Sequence, residues 1–379
     1  MSNTQLESAC LNKEHTFEKV YQPLAVSAKL KTHLNDFIVE ENISVEFSGE
    51  GEHCWIYVKK SGCNTDWLAQ QLAKFCDVKK MAVAYAGLKD RHAITSQWFS
   101  VQLPGKPTPD WAEFESGFNG KEAEENVQVL QSFRHNRKLQ RGALKSNTFK
   151  ITLRELTDCS DEMFSLLKQR CDEIAEQGVA NYFGSQRFGR NYNNLDQATK
   201  MFSNPRFRLA KHKRGMYLSA ARSWMFNCIL SERIKRHVWN KRLVGDVFML
   251  DGKSACFKDD MKDETTNAED KDEINKNQIN KRLSMNEIHP TATLWGEGEA
   301  MVTAQAEELE SQIFDQFPVY RDGLIAARLQ AQRRACRVIP GQFECFREND
   351  NFVLAFSLPS GSYATTVLSE IFSDLSETR

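Results

Sequence analysis

The sequence predicts an α+β fold: a mixed sheet built by strands from both ends of the chain, with a mostly helical middle inserted into it. Three observations predict it. Alternating β-branched and aromatic runs lie before residue 155 and again after 341. Helical spacing dominates from about 194 to 317. The 379 residues are 41% hydrophobic, enough for a sizeable core and for two domains. Strands at both ends make the middle an insertion rather than a serial domain.

Residues 1–22 read as a flexible leader. A strand then begins at Phe37-Ile-Val and ends on the acidic pair Glu40-Glu41. Residues 52–60 alternate and carry Trp55, Ile56 and Tyr57, a second strand. Asn64 or Thr65 caps a helix over 66–75, with apolar Trp67, Leu68, Leu72 and Phe75. Small apolar residues 82–86 and the run 97–101 form two strands around a polar loop with a hinge at Gly87. Residues 104–126, rich in Pro, Gly and acid, read as a surface excursion. Strands follow over 127–133 and 147–154, and a helix over 162–177 that ends at Gly178. The middle holds helices over 194–202, 219–236 and 300–317. Residues 253–282 are charged and poor in aromatics, which predicts a flexible loop. A strand pair spans 341–358, and a turn at Pro359 opens a helix over 365–372.

Composition excludes several classes. Fifty Lys and Arg stand against 51 Asp and Glu, a net charge of -1, so total charge does not point to nucleic acid. Ten scattered cysteines without a C-x-x-C pair, and no secretory signal, read as reduced thiols in a cytoplasmic protein. No apolar run approaches membrane-spanning length. His and Cys lack zinc-ligand spacing, and neither a P-loop nor a dinucleotide-binding fingerprint is present, so no metal or cofactor is expected. No protein partner is implied.

The chemistry concentrates in the loop Gly87-Leu-Lys-Asp-Arg-His92. Four consecutive ionisable side chains cannot all be buried. Cations beside Asp90 favour its carboxylate form, which suits a nucleophile, a base or an electrostatic stabiliser. A solvated turn with a salt bridge is the alternative. Three basic stretches argue for an RNA or single-strand partner. They are Arg134 to Lys145, Lys211 to Arg214 with Arg206 and Arg208 before it, and Arg187 to Arg190 among Tyr182, Phe183, Phe188 and Tyr192. Cations track phosphates and aromatics stack on unpaired bases; each run taken singly is also an ordinary solvated face. Asn147 is either a strand-end cap or a reader of a base edge through its amide. Phe149 has the alternation of a core residue. Gly361-Ser-Tyr363 offers backbone donors and an aromatic face at a helix start.

Together these segments resemble the TruD family, tRNA pseudouridine synthase D and its eukaryotic relatives. The resemblance is carried by Gly87 to His92 with Thr95 and Gln97, by Asn147-Thr-Phe149, by Asn181-Tyr-Phe-Gly-Ser-Gln-Arg-Phe-Gly189 and by Leu358-Pro-Ser-Gly-Ser-Tyr-Ala-Thr365. It runs in the same order from about Asp36 to the C-terminus. It implies a mixed, largely antiparallel pseudouridine-synthase sheet with flanking helices, over 23–176 and 335–379. It also implies an inserted, mostly helical α/β TRUD domain over 177–334, in which 253–282 is an enlarged loop.

The implied reaction is the cofactor-free conversion of uridine to pseudouridine in tRNA, at position 13. The resemblance makes Asp90 the catalytic residue. Phe37, Asn147 and Tyr363 become substrate-contacting positions, with Phe149 an active-site aromatic and Lys89 an additional candidate. Many relatives carry Phe where this chain has Tyr363. Two other readings remain open: a non-catalytic RNA-binding module, and a cofactor-free hydrolase using Asp90 and His92.

Overall fold

The computed structural model describes residues 16–118, 125–204, 206–259 and 269–377. The chain divides into two compact units. One contains 23–175, 340–361 and 371–379; the other contains 1–22, 176–339 and 362–370.

The first unit is organised by an eight-stranded sheet. Its order is Gly341–Glu348, Asn351–Pro359, Leu144–Leu153, Phe37–Ile43, Ile94–Gln102, His53–Ser61, Asn126–His135, with Val83–Tyr85 also paired to Ile94–Gln102. Only the pairing of Phe37–Ile43 with Ile94–Gln102 is parallel. The sheet is therefore mixed and largely antiparallel, and strands from both ends of the chain build it. A second, two-stranded sheet pairs Leu24–Leu30 with Phe372–Glu377 in parallel. Neither strand was expected from the sequence: the helix read over 365–372 is observed as Ala364–Ser369, and Phe372 instead opens the second strand.

Register explains which side chains are buried. Glu41 lies opposite Asn147, Val39 opposite Phe149 and Phe37 opposite Ile151. Phe149 in turn faces Phe356, with ring centroids 5.5 Å apart. Because side chains alternate with period two, these residues share one face of the sheet. Farther along, the helix Thr65–Phe75 packs Leu68, Ala69, Leu72 and Ala73 on Cys54, Ile56, Val58, Phe99 and Val101. Neither Asn64 nor Thr65 caps that helix through its side chain. The Thr65 hydroxyl instead turns inward and donates to Gln97 Oε1 at 2.8 Å. The excursion after Pro104 contains a short helix, Trp111–Ser116, anchored by buried Phe114.

The second unit is held by the helix Lys211–Lys235, which buries Trp224, Met225, Phe226, Ile229, Leu230 and Ile234. The helices Asn193–Ser203, Ala304–Phe314 and Pro318–Ala326 contribute to the same core. The helix expected over 300–317 is observed as Ala304–Phe314, and a further helix follows it that opens on Pro318, a residue that fits the first turn of a helix. An antiparallel four-stranded sheet accompanies them, in the order Cys256–Lys258, Val247–Leu250, Ile288–Leu294, Gln332–Ala335.

Two expectations need correction. Within 253–282, the strand Cys256–Lys258 pairs with Val247–Leu250, and a helix spans Glu269–Ser284. Backbone pairing and helical hydrogen bonding do not require aromatics, so composition misread both; residues 260–268 lie outside the described residues. Of the leader, residues 1–15 also lie outside them. Residues 17–21 are held: Phe17 stacks on Tyr182 at 5.2 Å, and Tyr21 Oη donates to the Gly178 carbonyl at 2.8 Å. Among the described residues no helix is long and apolar enough to cross a membrane.

Candidate active site

The loop from Gly87 to His92 leaves the strand Val83–Tyr85 and returns through Ile94–Gln102, two strands paired antiparallel. Gly87 has no positive φ, and a Cβ there would meet nothing within 4 Å, so the hinge role expected of it is not a backbone requirement. The loop is held from beneath by buried polar groups. Gln97 Nε2 donates to the Gly87 carbonyl at 3.2 Å, and the Lys89 amide donates to Thr65 Oγ1 at 2.9 Å. Lys60, only 1% exposed, donates its ammonium to the carbonyls of Asp90 at 3.1 Å and Cys63 at 2.7 Å. Burial lowers the Lys60 pKa, and the nearby charges that oppose this do not restore it.

Asp90 is half-buried. Its Oδ2 accepts from Lys31 Nζ at 2.6 Å, and its Oδ1 from the His92 amide at 3.1 Å. Burial pushes the carboxyl up, but the Lys31 hydrogen bond and charge, followed by the His92 amide, outweigh it and hold Asp90 below the ordinary carboxylate range. The same pair raises Lys31. Burial lowers its pKa, and Asp90 and then Glu377, 3.1 Å away, more than offset this. Lys31 stands in the left-handed region at φ 58°. Its ammonium also sits 4.9 Å from the centroid of the Phe37 ring, a cation–π distance. The carboxylate is thus ionised, partly accessible and fixed from two sides.

A second cluster stands on the same sheet face. Lys89 Nζ donates to Asn147 Oδ1 at 2.6 Å and pairs with Glu41 Oε1 at 2.8 Å. Glu41 is 2% exposed, and its Oε2 accepts from the Trp98 amide at 3.0 Å. Phe37 and Phe149 meet edge to face with centroids 6.2 Å apart, both mostly buried.

Five of the six expected site residues therefore lie in the sheet unit. Lys89 touches Asn147, Phe37 touches Phe149, and Lys31 joins Phe37 to Asp90. Tyr363 belongs to the helical unit. There its hydroxyl accepts from Arg187 Nη2 at 2.8 Å, and a Cβ at Gly184 would lie 3.2 Å from its ring, so Gly184 lets the ring sit against the backbone.

Sequence reasoning missed Lys31, Glu41 and Lys60. Alternation carried a signal for two of them. Lys60 continues the buried series Cys54, Ile56, Val58, and Glu41 continues Phe37, Val39. The aromatic stretch after Asn181 needs correction. Phe188 is 1% and Tyr182 9% exposed, so both are core rather than stacking platforms. Phe183 is covered by Arg334, whose guanidinium lies 4.1 Å from its centroid. Among the described residues no group of three or more His, Cys, Asp or Glu could hold a metal ion.

The family model described as tRNA pseudouridine synthase D (TruD) matches residues 20–202 and 192–371. A tRNA pseudouridine synthase D from Methylococcus capsulatus is 42% identical over 344 residues, covering 90% of each chain. The protein of that name from Nitrosococcus oceani is 41% identical over 352 residues, covering 92% of this chain and 91% of its own. The crystal structure of a Methanosarcina mazei protein assigned to TruD superposes with a TM-score of 0.68 at 23% identity, covering 98% of both chains, a likeness of fold.

Proposed function

Because this chain belongs to the tRNA pseudouridine synthase D family, and so is an isomerase acting on tRNA, we propose that it converts uridine 13 to pseudouridine with Asp90 as the catalytic carboxylate. The carrying observation is the pairing of Asp90 with Lys31 at 2.6 Å in a half-buried loop. It keeps a carboxylate ionised at neutral pH and leaves it reachable by an extruded base.

In this reading the target nucleotide leaves its stack, and Asp90 either attacks C1′ or takes a proton from C2′ as the glycosidic bond breaks. The uracil turns and rejoins through C5: the C1′–C5 bond forms as C1′ gives up Asp90, or C2′ regains its proton, and C5 loses its proton while N1 gains one. The reaction begins and ends with the same atoms, so no co-reactant is consumed. Asn147 faces the base edge, Phe37 and Phe149 form the apolar wall, and Tyr363 contacts the substrate from its own unit. Exposed Arg206, Arg208, Lys211, Lys213 and Arg214 supply phosphate contacts.

The hydrolase reading draws less support, because the contact of His92 with Asp90 is through its backbone amide. Selective chemical labelling of pseudouridine in tRNA, from cells with and without this protein, tests the proposal. Loss of the label at position 13 alone is expected. A label that persists there, or is lost elsewhere instead, refutes the site assignment.

A further inference from the structure

Lys89, Glu41 and Asn147 form a buried chain that the chemistry at Asp90 does not itself require. Glu41 has its carboxylate fully enclosed, fixed on one side by the Trp98 amide and on the other by Lys89. Lys89 is 9% exposed at its side chain, so its ammonium has given up most of its water. Such a charge is tolerated only where acceptors replace the lost hydration. Asn147 Oδ1 supplies the hydrogen-bond acceptor, at 2.6 Å, and Glu41 Oε1 the opposing charge, at 2.8 Å.

An ammonium group has three donors and no acceptor. It therefore fixes which end of the Asn147 amide faces it: the oxygen must point to Lys89 and the NH2 away. Among the described residues nothing accepts from Asn147 Nδ2. The strand register reinforces the arrangement, since Glu41 and Asn147 are direct cross-strand neighbours.

We infer that the Glu41–Lys89–Asn147 chain locks the Asn147 amide with its NH2 outward, as a dedicated donor to uracil O4, and so selects uridine over cytidine at the target position. The inference rests on the proposed role of Asn147 at the base edge. Uracil carries an acceptor at C4, where cytosine carries an amine, so a fixed donor rewards one base and confronts the other with a second donor. An amide free to flip accommodates either base. Glu41 and Lys89 are then positioning residues that act through Asn147.

The test measures binding of the full-length chain in an Asp90→Asn background, so that bound base is not turned over. Two tRNA transcripts are compared, with uridine or cytidine at the target position. The parent is expected to favour uridine by about tenfold or more. Lys89→Gln, whose amide can donate or accept, and Glu41→Gln/Lys89→Met, which removes both buried charges together, are each expected to bring the ratio close to one. The melting temperature of each is measured to identify a folded variant. Asn147→Asp, which places an acceptor outward, is expected to abolish or invert the ratio. A ratio that stays high in a folded Lys89 variant while Asn147→Asp abolishes it overturns the positioning chain and leaves the Asn147 reading intact. A ratio unchanged in Asn147→Asp, or absent in the parent, overturns the Asn147 reading itself. Equal weakening toward both transcripts assigns a structural role only and overturns the inference.

Discussion

Lys31 Nζ stands 2.6 Å from Asp90 Oδ2, joining residues 59 positions apart in the sequence. The pair sets the charge of the proposed catalytic group. A carboxylate whose pKa is depressed in the fold contributes stability above its unfolded value, near 3.9, and loses it as pH falls through the lower folded value. Lys31, raised in the fold, contributes below its unfolded value, near 10.4, and loses that contribution as pH rises through the higher folded value. The interaction is therefore complete at neutral pH.

Replacing Lys31 by Met leaves burial acting on Asp90 without its largest opponent. The Asp90 pKa then rises, and the acid limb of kcat/KM moves to higher pH. A pH–rate profile of Lys31→Met against the parent checks this. An unmoved acid limb means that Lys31 does not control the reacting group.

Lys60 makes a different kind of contribution. Its buried ammonium carries a lowered pKa, so holding it protonated costs stability at neutral pH, while its two hydrogen bonds fix the carbonyls of Cys63 and Asp90. Lys60→Met removes the buried charge and slackens the loop. Charged hydrogen bonds contribute about 1.5–3 kcal/mol each, so the melting temperature is expected to hold to within a few degrees, because the removed cost offsets the lost bonds. Pseudouridine formation is expected to fall by about tenfold or more, as loss of positioning in an active-site loop does. Single-turnover rates and thermal melts on one preparation separate the two effects.

The exposed run Lys211, Lys213, Arg214 occupies the first turn of a helix that has no acidic residue there. Positive charge at that end opposes the helix dipole by about 0.3–1 kcal/mol per residue. Replacing all three by Gln is expected to leave stability unchanged or raised. The same change should weaken tRNA binding and flatten its dependence on log salt by about 2–3 units. Binding isotherms at several salt concentrations give the slope.

Tyr363→Phe removes only the hydroxyl that accepts from Arg187. The expected loss is about 1 kcal/mol of stability, with activity within a few-fold of the parent. Tyr363→Ala removes the ring as well and is expected to reduce activity far more. Denaturant midpoints and steady-state rates for the two variants make the comparison.

Much of the sheet was legible because alternation is local. Phe37 to Glu41, Trp55 to Lys60 and Phe352 to Leu358 show it within a few residues. Leu24–Leu30 and Phe372–Glu377 were not read as strands, because each finds its partner at the opposite end of the chain. The site divides in the same way. Asp90, Lys89, Asn147 and Phe149 lie in short stretches of distinctive composition. Glu41 and Lys60 have the charge of surface residues, and only the alternation of their strands signals that they turn inward. Lys31 has no local signal at all; its role arises from a left-handed backbone and a contact 59 residues away.

The most direct measurement of the central claim is single-turnover pseudouridine formation by Asp90→Asn on a tRNA transcript, alongside its affinity for the same transcript. The substitution keeps the side chain's shape and its acceptor for the His92 amide. The account expects tRNA affinity near the parent's and no detectable pseudouridine. Pseudouridine formed at a rate near the parent's would contradict it.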